Sequence, residues 1–121
     1  MIRPARLYVT AAEVLEVVGR PADSAADLTR AEGVAELASI IVEHYVGSAG
    51  VTRHLLPLGQ DEPPPSGAHE AALGIAADLW RRPSTPGCYF QVVDYVGRLA
   101  ADPASSVAAL LAPYRESWSI A

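Results

Sequence analysis

Apolar residues recur at helical spacing in four stretches of the chain. Their boundaries predict helices at about 11–18, 25–46, 67–82 and 103–112. The second helix is the longest. Its apolar stripe consists of Leu28, Val34, Leu37, Ala38, Ile41, Val42 and Tyr45. Its opposite, polar face consists of Arg30, Glu32, Glu36, Ser39 and Glu43. The pattern predicts a mainly α protein.

Several helix ends have recognisable capping residues. Thr10 and Glu13 have the spacing of a capping box, in which each side chain bonds the backbone N–H of the other residue. Asp102 and Pro103 suit the N-cap and the first position of the last helix. Pro113 is predicted to end that helix, because proline removes a backbone donor and disfavours helix at the residue before it.

Three segments outside these helices have less distinct patterns. Residues 7–9 form a short β-prone run. Residues 48–66 form a long connector, in which 51–58 could be a short strand or hairpin arm and 60–65 an acidic, stiff, polyproline-like spacer. Within 84–101, residues 84–87 are predicted to form a turn, and residues 89–96 fit a strand, a short helix or a structured loop.

Small residues in two of the predicted helices indicate close packing. Gly33 costs a helix interior roughly 1 kcal/mol relative to alanine, so we expect a close helix crossing there. The third helix has an apolar stripe of Ala68, Ala71, Ala72, Ile75, Ala76, Leu79 and Trp80. Such short side chains build a thin core, which favours an assembly subunit over an isolated monomer.

Composition narrows the possible classes of protein. The 121 residues suit one domain, spanning 1–121, and no apolar run reaches the roughly 20 residues that cross a bilayer. We expect no signal peptide and no membrane partner.

The net charge of −5 argues against a free-standing binder of nucleic-acid phosphates. Cys88 is the single cysteine, so no intramolecular disulfide is possible and a reducing compartment is the simpler interpretation.

Candidate catalytic and metal-binding residues are few. They are His44, His54, His69 and Cys88, and none stands at the i, i+3 or i+4 spacing of another. We therefore predict no metal, no cofactor and no enzymatic activity. The rival hypothesis is an enzyme that uses Cys88 or a histidine, which would need a deep pocket holding Cys88 beside one of the three imidazoles.

The C-terminal segment after Pro113 is short and apolar. Tyr114, Trp118 and Ile120 would each bury a large area against another surface. They could fold back on the domain or dock on a partner, and we favour docking because chain ends fray by default.

Three segments resemble one protein family. The most specific is Leu110–Arg115, reading Leu-Leu-Ala-Pro-Tyr-Arg, within the segment Val107–Arg115; Trp80–Pro83 and His44–Gly47 are less specific. With the order of helices, they resemble the head–tail connector (adaptor, or head-completion) proteins of long-tailed bacteriophages. All nine basic residues are arginine, and lysine and asparagine are absent. That composition would suit a phage of a host with a GC-rich genome, such as an actinobacterium.

The resemblance implies a virion protein, made in the host cytoplasm, that forms a ring of typically twelve copies. Such a ring attaches to the portal protein, receives a stopper or tail-completion protein, and extends the channel through which genomic DNA passes without sequence recognition. The implied fold is a four-helix bundle of adaptor type, with a long loop or short β arm between the second and third helices and an extended C-terminal tail. Residues 84–101 depart from the family by their length.

The resemblance and the residue pattern together nominate two sets of contact residues. The implied portal contacts are Tyr114, Arg115, Trp118 and Ile120. The predicted intersubunit contacts are Arg81, Arg82, Leu55, Leu56 and Leu58. The alternative hypothesis is a small cytosolic helical module for protein–protein interaction, antitoxin-like or a regulatory subunit, which would form a defined dimer and no ring.

Overall fold

Helices dominate the computed structural model, which describes residues 7–21, 23–47, 66–81, 89–102 and 104–119, with the backbone alone at 47, 89–91 and 113–119. The helices are α1 Ala11–Val18, α2 Ala25–Gly47, α3 Ser66–Arg81, α4 Tyr89–Ala101 and α5 Ser106–Ser119. These ranges contain no strand. The prediction of a mainly α fold is confirmed, but the described part of the chain has five helices where four were predicted.

The additional helix is α4, which lies in the segment left open between strand, helix and loop. Val92, Tyr95 and Leu99 are buried, and their spacing of three and four residues places them on one side of a helix. Local propensity allowed a strand as well, because valine and tyrosine are good strand formers. Burial of this apolar side against the other helices decides the outcome.

The start of α5 differs from the prediction. The helix begins at Ser106, and its cap is Ser105, whose hydroxyl accepts a hydrogen bond from the Ala108 N–H at 3.3 Å. Asp102 is not the N-cap; its carbonyl instead accepts a bond from the Ser105 N–H at 3.1 Å. Asp102 and Ser105 are both good capping residues, so the two possible starts could not be separated by sequence alone.

The end of α5 also differs, because the helix continues through Pro113 to Ser119. The predicted stop after Ala112 and the predicted extended tail are therefore wrong as far as Ser119. A proline inside a helix costs about 3 kcal/mol, since one hydrogen bond is lost and its ring crowds the preceding turn. Ala108 and Leu111 are fully buried just before it, and their packing anchors the helix up to the proline.

The core forms around α2, which contacts α1, α3, α4 and α5, while α3 also contacts α1 and α5. Most of α2 from Ala31 to Val46 is buried, whereas the helix is largely exposed from Ala25 to Arg30. Leu28, predicted on the buried stripe, is accordingly exposed. The predicted stripe of α3 is confirmed: Ala68, Ala71, Ala72, Ile75, Ala76 and Leu79 are buried, and Trp80 is partly buried.

Residues 7–9 are not a strand; they lie against α2. The Tyr8 N–H donates to the Ser39 hydroxyl at 3.0 Å, and that hydroxyl donates to the Ala35 carbonyl at 2.9 Å. The Tyr8 hydroxyl donates to a Glu43 carboxylate oxygen at 3.5 Å. Ser39 is fully buried, so its placement on the polar face was wrong. Its hydroxyl satisfies a buried backbone donor that would otherwise be costly.

The two helix-interior glycines of α2 and α3 have opposite surroundings. A Cβ added at Gly33 would meet nothing within 4 Å, so the predicted close crossing is not there. A Cβ added at Gly74 would lie 3.3 Å from Cγ2 of Val107. The close approach is therefore between α3 and α5, at Gly74. Nothing in the sequence around Gly74 indicated this contact.

These surroundings predict opposite outcomes for two identical substitutions. Gly33→Ala should raise the free energy of unfolding by about 0.5–1 kcal/mol, since alanine restricts the unfolded chain and meets no neighbour. Gly74→Ala should raise the free energy of unfolding by clearly less, because the Val107 side chain must move to make room for the added methyl group. Urea denaturation of both variants measures the difference. An equal gain at the two sites would contradict the close approach of α3 and α5.

Candidate functional site

Glu13 joins the start of α1 to the first turn of α3. The capping box is confirmed: the Glu13 N–H donates to the Thr10 hydroxyl at 3.2 Å, and the Thr10 N–H donates to Glu13 Oε1 at 2.9 Å. The second carboxylate oxygen, Oε2, lies 2.7 Å from Nε2 of His69. One side chain therefore caps a helix and binds a second helix that is distant in sequence.

The electrostatics of this contact favour an ionised carboxylate. Partial burial on its own would raise the pKa of Glu13. The hydrogen bonds from the Thr10 backbone, the His69 ring and the Thr10 hydroxyl outweigh burial and hold the pKa below its usual value. A carboxylate that orients an imidazole is a component of catalytic triads. Here it lies at a helix cap, which indicates a structural pair.

Glu13→Gln is expected to lower the free energy of unfolding at pH 7 by about 0.5 kcal/mol, a small value because the Glu13 side chain is 39% exposed. Glutamine retains the cap and loses the charge. Because the folded state lowers the pKa of Glu13, its contribution is complete above the unfolded pKa of about 4.3 and is lost as pH falls through the folded value.

Denaturant unfolding at pH 7 and pH 3 checks this expectation, with the exposed Glu16→Gln on the same helix as the matched control. The difference between wild type and Glu13→Gln should shrink at pH 3, and the control should show little change at either pH. A loss at Glu13 that is independent of pH would contradict the role assigned to its charge.

A second contact connects α2 to the end of α3. The Arg30 guanidinium lies 4.3 Å from the centroid of the Trp80 ring and donates a hydrogen bond to the Trp80 carbonyl. That carbonyl is one of the last four of α3, which have no partner within the helix. Arg81 follows in the same turn and is exposed. Arg30 was placed on a polar face by its spacing; no local signal points to a partner 50 residues away.

Of the predicted portal and intersubunit contact residues, Arg81 alone has both its backbone and its side chain among the described residues. Arg81 lies on the exposed end of α3. The backbone of Tyr114, Arg115 and Trp118 is helical, and their side chains are outside the description. Outside the described residues altogether lie Arg82, Leu55, Leu56, Leu58 and Ile120, together with the predicted arm at 51–58 and spacer at 60–65. The portal and intersubunit sets remain predictions.

Two of the four candidate catalytic residues, His44 and His69, lie within the described ranges. His44 lies in the last turn of α2 and is exposed. His69 lies in the first turn of α3, and its ring contacts the carboxylate of Glu13 on α1. His54 and Cys88 lie outside these ranges. Across the described residues, no three His, Cys, Asp or Glu side chains are grouped so that they could hold a metal ion.

None of the described helices combines the length and apolar character needed to cross a membrane. Comparison of the chain with models of protein families, with curated proteins and with solved structures found no match in any of the three. The interpretation of function therefore depends on the residues and contacts of this chain.

Proposed function

We propose that this protein is the subunit of a ring-forming adaptor that attaches to a phage portal and joins the head to the tail or stopper. The observation on which the proposal depends is the Leu110–Arg115 segment, which resembles the C-terminal helix of head–tail connector proteins. In this proposal the ring has about twelve copies, sits in the virion and extends the DNA channel.

The placement of α5 supports a docking role for its end. Leu111 is fully buried and Leu110 is 37% exposed, so the helix is held on one side and open on the other. A helix of the length of Ser106–Ser119 spans roughly 21 Å. A preformed helix loses less conformational entropy on binding than a free tail would. Tyr114, Arg115, Trp118 and Ile120 are the proposed portal contacts.

Exposed apolar side chains support lateral association. Large hydrophobic residues are exposed on four of the helices and on the segment before α1: Leu7, Val17, Leu28, Val93 and Leu110. A closed ring joins two different surfaces of each subunit, so it requires contact residues at more than one place. Arg81, Arg82, Leu55, Leu56 and Leu58 are the proposed intersubunit contacts at the end of α3 and in the connector.

The charge of the protein is compatible with a DNA channel. A protein with a net charge of −5 would form channel walls that do not bind phosphates, so DNA could pass through. A basic lumen would slow the passage of DNA by binding its phosphate backbone.

Electron microscopy of the protein mixed with its portal tests the proposal, and a stacked ring is the expected result. Deleting residues 116–121 should leave a folded helical domain and weaken portal binding by about tenfold or more, because buried aromatic residues dominate interfaces. Circular dichroism checks that the shortened protein is folded. Unchanged portal binding would contradict the docking role, and a defined dimer without portal binding would favour a small interaction module.

Point variants separate the proposed contacts from chain length. Trp118→Ala with Ile120→Ala should reproduce most of the loss of portal binding. Glu116→Ala with Ser117→Ala shortens two side chains in the same segment and should leave binding within about twofold. An equal loss in both pairs would show that the specific apolar contacts are not responsible.

A further inference from the structure

The side of α4 that points away from the core is apolar. The buried residues of this helix lie on its other side, which packs against α2 and α5: Val92, Tyr95 and Leu99. Val93, Gly97 and Ala101 recur at every fourth position, so they share one side of the helix, and all three are exposed. Val93 is 52% exposed, the largest fraction among the exposed large hydrophobic residues of the described ranges. We call Val93, Gly97 and Ala101 the outer face of α4.

Gly97 lies at the middle of the outer face. Glycine weakens a helix interior because it has more conformational freedom than other residues in the unfolded chain. A Cβ added at Gly97 would meet nothing within 4 Å, so no contact with the described residues requires a glycine there. The absent side chain leaves room for a second helix to approach the α4 backbone closely.

Opposite charges lie along one edge of the outer face. Asp94 and Arg98 each follow a residue of that face by one position, so both side chains project from the same edge. Arg98 Nη2 lies 3.1 Å from Asp94 Oδ2, and both side chains are more than half exposed. An inverted copy of this edge would place its arginine opposite Asp94 and its aspartate opposite Arg98. The edge is therefore complementary in charge to a second α4 that runs in the opposite direction.

The charges of this edge also define the direction and the kind of partner. In an antiparallel pair of helices related by a twofold axis, the same edge of each helix faces its equivalent. In a parallel pair, the edge with Asp94 and Arg98 would face the opposite edge of the second helix, which has no such pair. A uniformly acidic or basic partner would meet as much repulsion as attraction, because the edge has one charge of each sign.

We propose that α4 binds the α4 of a second copy of this chain, antiparallel, across a twofold axis that passes near Gly97. The contact places Val93 of one copy near Ala101 of the other, and Asp94 opposite Arg98. Two helices of 13 residues form a small interface, so the dimer should be weak and should form at high micromolar concentration. The proposal goes beyond the proposed function and does not depend on it, because portal binding and self-association through α4 can each fail alone.

Analytical ultracentrifugation of the full chain tests this contact. Wild type should shift from monomer towards dimer as the protein concentration rises. Asp94→Arg and Arg98→Asp should each weaken the association about tenfold or more, because each gives the edge a single sign in both copies. Glu16→Arg makes the same charge change as Asp94→Arg at an exposed position of α1, and it should leave the association within about twofold. Circular dichroism checks that each variant is folded.

An equal mixture of the two α4 charge variants identifies the occupant of the outer face. Asp94→Arg makes the edge basic and Arg98→Asp makes it acidic, so a heterodimer regains the attraction that each variant lacks alone. The mixture should associate at least about as tightly as wild type. This recovery requires that the α4 of one copy meets the α4 of another.

Val93→Ser tests the apolar part of the contact. It should weaken self-association about fivefold or more, because each dimer loses two buried apolar side chains. Val17→Ser is the matched control, since Val17 is 47% exposed on α1, and it should leave the association within about twofold. Urea unfolding should show similarly small effects of the two substitutions on the single chain.

Three results would overturn the proposal. The first is a wild-type protein that stays monomeric at millimolar concentration. The second is self-association that neither Asp94→Arg nor Arg98→Asp weakens, which would show that another surface is responsible. The third is an equal mixture of these two variants that associates no better than either variant alone.

Discussion

Leu111→Ala is expected to lower the free energy of unfolding by about 3 kcal/mol, whereas Leu110→Ala should change it by less than about 1 kcal/mol. The two leucines are adjacent on α5. Leu111 is fully buried and Leu110 is 37% exposed. Removal of the buried side chain leaves a cavity beneath α5, while removal of its neighbour leaves a surface that water can fill.

The same pair tests why α5 continues past Pro113. If packing before the proline anchors the helix, Leu111→Ala should also reduce helix content in the last turns of α5. Hydrogen exchange of the backbone amides beyond Pro113 measures this, with Leu110→Ala as the matched control. Equal destabilisation by the two substitutions would contradict the packing of α5 through Leu111.

Ala72→Leu is expected to lower the free energy of unfolding by about 2–3 kcal/mol, although it adds apolar surface. Ala72 is fully buried, as are Ala68, Ala71 and Ala76 on the same helix. The small side chains allow α3 to approach its neighbours closely, so a leucine at this position must displace a helix or adopt a strained rotamer.

Ala26→Leu is the control for this substitution, because Ala26 is exposed in the first turn of α2. Leucine and alanine have similar helix propensities, so the control should change the free energy of unfolding by at most about 0.5 kcal/mol. Thermal and urea unfolding measure both variants. A neutral or stabilising Ala72→Leu would show that the interface around α3 has unfilled space.

Both expectations bear on the proposed assembly. The core depends on alanine at the α3 interfaces, and small side chains bury little area each. Contacts between copies would add burial that the single chain does not supply. If the copies associate, the melting temperature should rise with protein concentration.

Local signals were sufficient for much of the helical framework. The capping box of Thr10 and Glu13 involves residues three apart, and its geometry is as the spacing predicts. The buried stripe of α3 follows from periodicity, since apolar residues that recur every three or four positions lie on one face of a helix. The first three helices were predicted to within about a residue at each end.

Predictions failed where contacts distant in sequence compete with local preference. Ser39 has a polar side chain, yet it is buried because the Tyr8 backbone needs an acceptor there. The helix α5 continues through Pro113, although proline destabilises a helix interior. The partners of Glu13 and Arg30 lie on α3, far along the chain.

The sequence by itself determined the helical class, most helix boundaries and the small-residue face of α3, because periodicity and capping depend on neighbours within one or two turns. The tertiary structure alone decided that α4 is a helix, that α5 passes its proline, and that Arg30 stacks on Trp80 beside Arg81. Those outcomes depend on which faces of the helices meet, and spacing along one helix does not specify its partner.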